Sequence, residues 1–481
     1  MDPILIGLLL YLAMMLAVGL YTYRYMKSLD DFVLAGRRLG PWVAAISERA
    51  SGESAWFLLG LPAAAYAVGF VEFWSVIGIA TGILTSWTFI ALRLRTQTER
   101  FGALTLPDYF EARFDDRTRM LRIVSMLAIL FFYLAYVAAQ LDGAGQILNA
   151  SFGIPHWGGM LIGATVVALY TLMGGFLAVA WTDLIQGLLM ACVAVVLPLA
   201  GIAHLGGFGE LWTVIAAHDP ALLTMDLGET GAAFLFGVAF AGFSWCFGYL
   251  GQPHLLVRYM AIRRVEDVPK GQAIAMGWVL IAYWGAPMIG LVGLAVLGPA
   301  LEHPDQVMPL LTIALLPPWL AGIMIAGAMA AMMSSADSQL LVASSAIVED
   351  IYVRLFKPKV SPKTLVVLSR IVTVVLTLCA LTLAFKLGEG IYKSVEYAWT
   401  GLGSSFGPAL ILSLWWKRTT RWGALAGMLG GLVSTIAWKN SAALQGFLDL
   451  KAGPVLISAA LVIGVSLATS GANREPERLG G

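Results

Sequence analysis

Apolar runs of about twenty residues recur along the whole chain, and they constrain its fold more than any other feature. A helix needs about 20 mostly apolar residues to cross the hydrocarbon core of a bilayer. Of the 481 residues, 59% are hydrophobic and only 12% are charged, whereas soluble domains carry about 25% charged residues. The sequence therefore predicts an all-α polytopic membrane protein whose surroundings are the lipid bilayer.

Charge and motif content exclude several other classes of protein. The net charge is +1, and nucleic-acid binding needs a concentrated basic face, so we expect no nucleic-acid partner. No HExxH run occurs, and the 5 histidines do not have the spacing of metal ligands. We therefore expect no catalytic residues, no enzyme activity and no metal other than Na⁺.

Charged or Gly/Pro-rich segments divide the apolar runs into thirteen predicted transmembrane helices. A helix in each run would span the bilayer once, so the chain would cross it thirteen times. The predicted helices begin near Pro3, Gly40, Phe73, Leu121, Trp157, Thr182, Ala232, Ala273, Trp319, Thr364, Val395, Trp422 and Gly453.

The lysines and arginines orient this topology. With the N-terminus outside, most of the 30 basic residues, Arg258 among them, fall in cytoplasmic segments, as the positive-inside rule predicts. The exceptions are four external lysines and two arginines within spans, namely Lys386, Lys393, Lys439, Lys451, Arg49 and Arg370. We expect a multi-pass protein of the inner or plasma membrane with a cytoplasmic C-terminus.

Two predicted spans are interrupted in corresponding places. The second contains the polar run Ser47–Ser54, and the seventh contains several glycines before Pro253. Interrupted segments at matching positions in two halves of a chain indicate a transporter site. Two unrelated kinks would give the same pattern, since Gly and Pro are frequent in membrane helices.

The two interruptions lie five spans apart, and an odd offset implies opposite orientations in the membrane. This predicts two inverted repeats of five helices, with one helix before them and two after. The predicted segments are 1–39 (first helix and cytoplasmic loop), 40–204 (first repeat), 205–231 (external loop), 232–416 (second repeat) and 417–481 (two helices and tail).

Six charged residues are predicted at membrane depth: Glu48, Arg49, Glu53, Asp142, Asp183 and Asp337. A charge at the bilayer centre costs about 2.5–3.5 kcal/mol on insertion scales, so each needs an explanation. Arg49 and Glu53 have the spacing of a helical ion pair, which would leave Glu48 unpaired, although we expect the helix to break between them. Asp183 either caps the N-terminus of the sixth span or has a functional role.

The ninth span combines two hydroxyls with a carboxylate. Ser334, Ser335 and Asp337 lie within one helical turn, and their oxygens suit a hard cation. Serines also serve as small packing residues between membrane helices, so both interpretations stand at this point.

At the level of motifs, the chain resembles the sodium:solute symporter family, and most closely its sodium/proline symporters. The resemblance covers nearly the whole chain. The motifs are Leu59-Gly60-Leu61-Pro62, Leu104-Thr105-Leu106-Pro107-Asp108-Tyr109-Phe110, Gly174-Gly175-Phe176-Leu177-Ala178-Val179, Gly248-Tyr249, Gly251-Gln252-Pro253-His254, Gln339-Leu340-Leu341-Val342 and Glu349-Asp350.

The resemblance implies a LeuT-like core built from the two inverted repeats, with Na⁺ as the coupling ion. The implied sodium site consists of the backbone oxygens of Ala50, Glu53 and Ala331 and the hydroxyls of Ser334 and Ser335. Asp183 matches a family aspartate near the sodium route.

The resemblance also implies a substrate site for a small amino acid, with aromatic walls suited to the pyrrolidine ring of proline. The implied residues are Trp56, Gly60, Tyr136, Trp245, Tyr249 and Pro253, to which we add Gln140 as a polar contact and Ser54 and Gln252 from the interrupted segments. Each aromatic residue alone would equally serve core packing.

The chain departs from the proline-symporter pattern beside this site. Gly52 stands where an aspartate is usual, Ala55 stands where a glycine is usual, and Glu48 and Arg49 replace small neutral residues. We expect Glu53 or Asp337 to supply the missing carboxylate.

The sequence thus predicts a sodium-coupled symporter that imports a small amino acid, first of all L-proline, by alternating access. A sodium- or proton-coupled symporter of another amino or organic acid is the alternative, because Glu48, Arg49 and Glu53 are charges that could alter specificity. A non-transporting membrane sensor is the alternative from a different class.

Overall fold

Helices make up the regular structure of the described part of the chain. The computed structural model describes residues 2–23, 33–356, 360–386, 388 and 390–470. Within these ranges no β-strand occurs, and one isolated bridge joins Leu39 to Ile262. Several basic residues that orient the predicted topology lie outside the described residues, in 24–32, 357–359 and 471–481. The orientation of the termini therefore stays a prediction.

The helices of the first half run from Pro3 to His218. They are α1 (Pro3–Tyr23), α2 (Pro41–Ala55), α3 (Leu61–Val68), α4 (Phe73–Thr85), α5 (Leu92–Phe101), α6 (Leu106–Phe114), α7 (Met120–Phe152), α8 (His156–Leu205) and α9 (Phe208–His218).

The helices of the second half run from Phe240 to Thr469. They are α10 (Phe240–Phe243), α11 (Pro253–Ala261), α12 (Val268–Ala282), α13 (Gly285–Leu297), α14 (Val307–Leu315), α15 (Pro318–Ser345), α16 (Arg354–Phe356), α17 (Pro362–Ala384), α18 (Ile391–Trp415), α19 (Arg421–Lys439), α20 (Ala442–Phe447) and α21 (Gly453–Thr469).

In the described part of the chain, four segments of π-helix interrupt or extend these helices. They are Trp56–Gly60 between α2 and α3, Ser86–Ala91 between α4 and α5, Ala233–Ala239 before α10, and Ala346–Val353 after α15. π-Helical turns are rare in proteins, and those that occur are often at functional sites. The segment after α2 is therefore a candidate functional segment.

Eight helical stretches among the described residues are long and apolar enough to cross a membrane. One of them, Pro41–Phe101, has 61 residues. A continuous helix of that size would measure about 90 Å, three times the hydrocarbon thickness, so this stretch is more than one span. Gly69, with a φ of 78°, ends its first part. The chain is therefore a multi-pass membrane protein, while the count of thirteen spans stays a prediction.

The sixth span differs from its predicted start near Thr182. The helix α8 changes direction at Gly175, whose φ of 56° is open to glycine at no steric cost. Asp183 consequently lies inside a helix rather than at its first turn, so the capping role considered for it is wrong. The polar residues that suggested a helix start are buried instead against other helices.

The centre of the molecule is formed by α2 and α15, which pack against each other and against α8. Every residue from Val43 to Ala55 is buried. Small residues permit the close packing: a Cβ added at Gly187 of α8 would lie 2.7 Å from the Ile46 side chain of α2. The two C-terminal helices α19 and α21 pack on each other and on α18, outside this centre.

Candidate ion and substrate site

The helix α2 breaks at Ser54, whose φ and ψ are 56° and −174°. Side chains bind the amide groups that the break frees: Ala55 donates to Gln140 Oε1 at 2.8 Å, and Trp56 donates to Ser54 Oγ at 3.1 Å. The break lies after Glu53, not between Arg49 and Glu53 as the sequence led us to expect. The ion pair between those two residues spans an intact helical turn instead.

The seventh predicted span is also broken. A 3₁₀ segment, Ser244–Leu250, is followed by two non-helical residues, and Pro253 then begins α11. Gln252 lies in the gap and donates through Nε2 to the carbonyl oxygens of Gly248 at 3.0 Å and Trp399 at 2.9 Å. Gln252 therefore holds the broken backbone against α18.

Four of the residues predicted to bind sodium come together between α2 and α15. Ser334 Oγ donates to the carbonyl oxygens of Ala50 at 3.0 Å and Ala331 at 3.1 Å, and Ser335 Oγ donates to that of Ser51 at 2.8 Å. All five residues are buried. Uncharged hydroxyl and carbonyl oxygens of this kind are suitable ligands for Na⁺, a hard cation.

Glu53, which is also predicted to bind sodium, has polar partners of its own. Its carbonyl accepts a hydrogen bond from the amide of Trp56. Its carboxylate accepts one from Arg49 Nη1 at 2.9 Å and another from the hydroxyl of Tyr283. The carboxylate is thus already paired with a cation in this structure. The role of Glu53 as a sodium ligand stays a prediction.

The expectation that Glu48 is unpaired is also wrong. Arg49 Nε donates to Glu48 Oε2 at 2.6 Å, and Nη2 donates to Oε1. The Glu48 carboxylate also accepts hydrogen bonds from Trp87 Nε1 at 3.0 Å and from the Tyr259 hydroxyl at 3.2 Å. One guanidinium serves both carboxylates because its five N–H groups form a planar fork.

Asp183 belongs to a second polar cluster on the other side of α2. Its Oδ2 accepts hydrogen bonds from Ser47 at 2.6 Å, Ser51 at 3.0 Å and Arg258 Nη2 at 3.0 Å. Arg258 was expected in a cytoplasmic segment, but it is fully buried. Its position five residues after Pro253, in the helix that follows the break, was the available signal.

Asp337 adjoins this second cluster through its neighbour on α15. Ser338 Oγ donates to Asp337 Oδ1 at 3.1 Å and accepts from Arg258 Nη2 at 2.5 Å. It also lies 3.0 Å from Ser51 Oγ. Since the Ser51 carbonyl accepts from Ser335, the polar network of Asp337, like that of Asp183, continues to the predicted sodium oxygens. The remaining predicted charge, Asp142, lies 2.8 Å from His156.

Four of the predicted substrate residues line one small cavity next to the break in α2. The cavity measures about 10 Å³, room for about one water molecule, so it is too small for an amino acid in this structure. Its lining residues are Gly52, Trp56, Ile79, Tyr136, Trp245, Tyr249, Val395 and Trp399.

Aromatic rings enclose this cavity on two sides. Trp56 lies 4.9 Å from Trp245 and 5.7 Å from Tyr392 between ring centroids, and Trp245 Nε1 donates to the Tyr392 hydroxyl at 3.1 Å. On the other side Tyr249 lies 4.7 Å from Trp399. Tyr392 and Trp399 both belong to α18, and they were not predicted as site residues because no sequence motif marks that helix.

The other predicted substrate residues support the backbone around the cavity rather than line it. Gln140 binds the Ala55 amide, as described above. A Cβ at Gly60 would lie 3.3 Å from the backbone nitrogen of Tyr392, so this glycine permits close packing onto α18. Ser54, Gln252 and Pro253 shape the two breaks.

Two broken helices packed around buried oxygens and an aromatic cavity define a membrane transporter of the LeuT fold. The fold is similar to that of a Na⁺-coupled sialic acid symporter in a substrate-bound outward-open state, with a TM-score of 0.82, 23% identity and complete coverage of both chains. It is also similar to MhsT in complex with L-phenylalanine, with a TM-score of 0.57, 15% identity and coverage of 90% of this chain and 98% of that one.

The chain belongs to the sodium:solute symporter family, whose profile matches residues 32–431. The high-affinity proline transporter PutP of Bacillus subtilis is 40% identical, over 89% of this chain and 90% of that protein. The sodium/proline symporter of Escherichia coli is 38% identical, over 91% and 88%. These relatives are transporters, so the family membership agrees with the expectation that the protein is not an enzyme.

Proposed function

We propose that this protein is a sodium-coupled symporter that imports a small amino acid, with L-proline as the proposed substrate. The observation that carries the proposal is the arrangement around Ser54. The break places the oxygens of Ala50 and Ser51 against Ser334 and Ser335, directly before the residues that line the aromatic cavity. The identity of 40% to a proline transporter supports the choice of substrate.

In the proposed cycle, Na⁺ binds between α2 and α15 from outside and orders the turn before the break. The substrate then occupies the cavity between Trp56, Tyr136, Trp245 and Tyr249, the outer side closes, and the inner side opens. One Na⁺ moving down about 100 mV releases about 2.3 kcal/mol, and a tenfold gradient adds about 1.4 kcal/mol. At one Na⁺ per substrate this sustains an accumulation of about 500-fold.

The first experiment is uptake of labelled L-proline into proteoliposomes. We expect accumulation with an inward Na⁺ gradient and none with K⁺ in place of Na⁺. Uptake that is indifferent to Na⁺ would contradict sodium coupling. Specific proline binding without accumulation would support a sensor instead.

A second candidate substrate class is another amino or organic acid, and one observation favours it. Gly52 lines the cavity, and the position of its absent Cβ lies 3.3 Å from the Leu255 side chain and 3.8 Å from Arg49 Nη2. A positive charge therefore lies directly behind the cavity wall at residue 52. Competition of labelled proline by a panel of amino and organic acids decides between the classes: a stronger competitor than proline would replace it as the proposed substrate.

A further inference from the structure

Among the described residues, the lining of one cavity at the end of α18 contains four cations and no carboxylate. The cavity lies between α5, α6 and α18 and measures about 360 Å³, within the size range of small-molecule sites. A neighbouring cavity that shares Phe101 has four acids beside its four arginines, so the excess of positive charge is particular to this one. We call it the basic pocket. Its lining residues are Arg93, Gln97, Arg100, Phe101, Arg113, Ser413, Leu414, Trp415, Trp416 and Lys417.

Two of the four cations are held in place by the end of α18. Arg93 Nη1 donates to the Leu414 carbonyl oxygen at 3.2 Å, and Arg113 Nε donates to that of Ser413 at 3.2 Å. The last carbonyl groups of a helix attract cations, so both arginines help to cap α18. These contacts use a minority of the five N–H groups of each guanidinium. Donors in fixed positions are therefore left for a further acceptor.

None of the four cations forms a salt bridge with an acid in the part of the chain that the structure describes. In contrast, Arg95 of the same helix α5 pairs with Glu99 at 2.8 Å, and Arg263 pairs with Asp267 at 2.8 Å. Four like charges around one cavity repel one another unless an anion lies among them. Phosphate groups suit this position, because several of their oxygens accept from guanidinium N–H groups at once. The basic pocket is therefore suited to a phosphate ester.

The surroundings of the basic pocket favour a membrane lipid as the source of that phosphate. Phe89, Leu92 and Trp415 beside it are exposed apolar side chains, and in a membrane protein such residues contact lipid. Trp415 Nε1 donates to the Phe89 carbonyl oxygen at 2.8 Å, and the Arg93 guanidinium lies 3.4 Å from the Trp415 ring centroid. Tryptophan is typical of the membrane–water interface, and basic pockets between membrane helices bind lipid headgroups. A soluble phosphate would need the charges but not this apolar rim.

We propose that the basic pocket binds the headgroup of an anionic phospholipid, with the acyl chains along Phe89, Leu92 and Trp415. The headgroup lies among the four cations and joins α5 and α6 to the end of α18. The same helix carries Tyr392 and Trp399 to the aromatic cavity, so the lipid holds the helix that forms one wall of the candidate substrate site. Lipid binding is measurable whether or not the protein transports proline, so the two proposals can fail separately.

Native mass spectrometry of the full chain in detergent, titrated with phosphatidylglycerol, tests the site. We expect the wild type to bind phosphatidylglycerol at least about tenfold more tightly than zwitterionic phosphatidylcholine. Each cation near an anionic headgroup contributes about fivefold, so Arg93→Gln with Arg100→Gln should lower this affinity about 25-fold. The matched control is Arg264→Gln with Lys270→Gln, which removes two exposed charges outside the basic pocket and should leave the affinity unchanged.

Three outcomes of this titration overturn the proposal. Equal binding of the two lipids would show that the pocket does not recognise an anionic headgroup. An equal loss in the control variant would show a general attraction to the basic surface. Displacement of the lipid by inorganic phosphate at an equal concentration would show that the pocket takes a soluble anion.

A single variant keeps the test decisive if the double variant does not fold. Lys417 is an exposed residue that follows the end of α18, so its replacement leaves the capping of that helix intact. Lys417→Gln should lower the affinity for phosphatidylglycerol about fivefold. An unchanged affinity in a folded Lys417→Gln protein contradicts the proposed site.

Discussion

Ser335 of α15 donates its hydroxyl hydrogen to the carbonyl oxygen of Ser51 on α2, at 2.8 Å. This contact joins the two central helices one turn before the break at Ser54. A cation bound between the helices would draw both oxygens toward itself, since each has a lone pair to offer. The link between sodium binding and the shape of the broken helix therefore passes through this pair of residues.

Replacing Ser335 by Ala should weaken sodium binding. The substitution removes a hydroxyl ligand and leaves the Ser51 carbonyl without its donor, and a buried polar group left in this way costs about 1–3 kcal/mol. We expect the Na⁺ concentration for half-maximal uptake to rise about tenfold or more. Ser344→Ala is the matched control, because Ser344 is buried on the same helix and bonds only to Leu341 of its own helix. Equal effects of the two substitutions would exclude a specific role for Ser335.

Replacing Arg258 by Met should destabilise the whole protein. Asp183 would then be a buried charge without its cationic partner, a loss that costs about 3–5 kcal/mol in other proteins. We expect a large fall in the midpoint of thermal unfolding in detergent. The double variant Arg258→Met with Asp183→Asn removes both charges and should recover a substantial part of the loss. A double variant as unstable as the single one would show that the ion pair is not the cause.

The fold class could be predicted from the sequence because a local apolar run is enough to predict a membrane-spanning helix. The pairing of charges could not be derived in the same way, since it depends on which helices face each other. Arg258 follows Pro253 by five residues and looks like part of a basic cytoplasmic segment, yet α11 carries it to Asp183. Likewise Glu48 appeared unpaired because spacing along one helix does not reveal that Arg49 can serve two acids.

The candidate cavity was predictable only in part for a related reason. Trp56, Tyr136, Trp245 and Tyr249 are substrate positions that the family resemblance implies, and they line one cavity in the structure. Trp399 completes the wall from α18, where no motif or interruption marks it. The position of Trp399 depends on how α18 packs against helices that are distant in the sequence. A local sequence pattern does not reveal such packing.

A substitution at Gly248 tests whether Trp399 shapes the substrate site. A Cβ at Gly248 would lie 1.9 Å from Trp399 Nε1, so Gly248→Ala must displace the indole, and overpacking of this kind costs about 1–3 kcal/mol. We expect the KM for proline to rise about tenfold while the protein still folds. Gly277→Ala is the control, because nothing lies within 4 Å of its Cβ position. A normal KM for Gly248→Ala would show that Trp399 does not shape the substrate site.

Asp305 should make stability depend on pH in a direction unusual for a carboxylate. It lies in the 3₁₀ segment Pro304–Gln306, between α13 and α14, and accepts a hydrogen bond from the Ile391 amide at the start of α18. Burial raises the pKa of Asp305 from 3.8 to about 6, and the Ile391 amide offsets only part of this. The folded state thus holds this proton more tightly than the unfolded state, so its contribution to stability is lost as pH rises through this window.

Asp305→Asn cannot ionise and retains an acceptor for the Ile391 amide. The stability of this variant relative to the wild type should therefore increase as pH rises. We expect the thermal unfolding midpoint of the wild type, relative to the variant, to fall between pH 4 and about pH 6 and to stay constant above. Asp226→Asn is the contrasting control, because the Gly228 amide lowers the pKa of Asp226 in an exposed turn, and its contribution to stability is lost as pH falls. A wild-type midpoint that rises relative to Asp305→Asn over the same window would show that Asp305 is stabilised as a carboxylate, with α18 anchored by a charge rather than by a neutral acid.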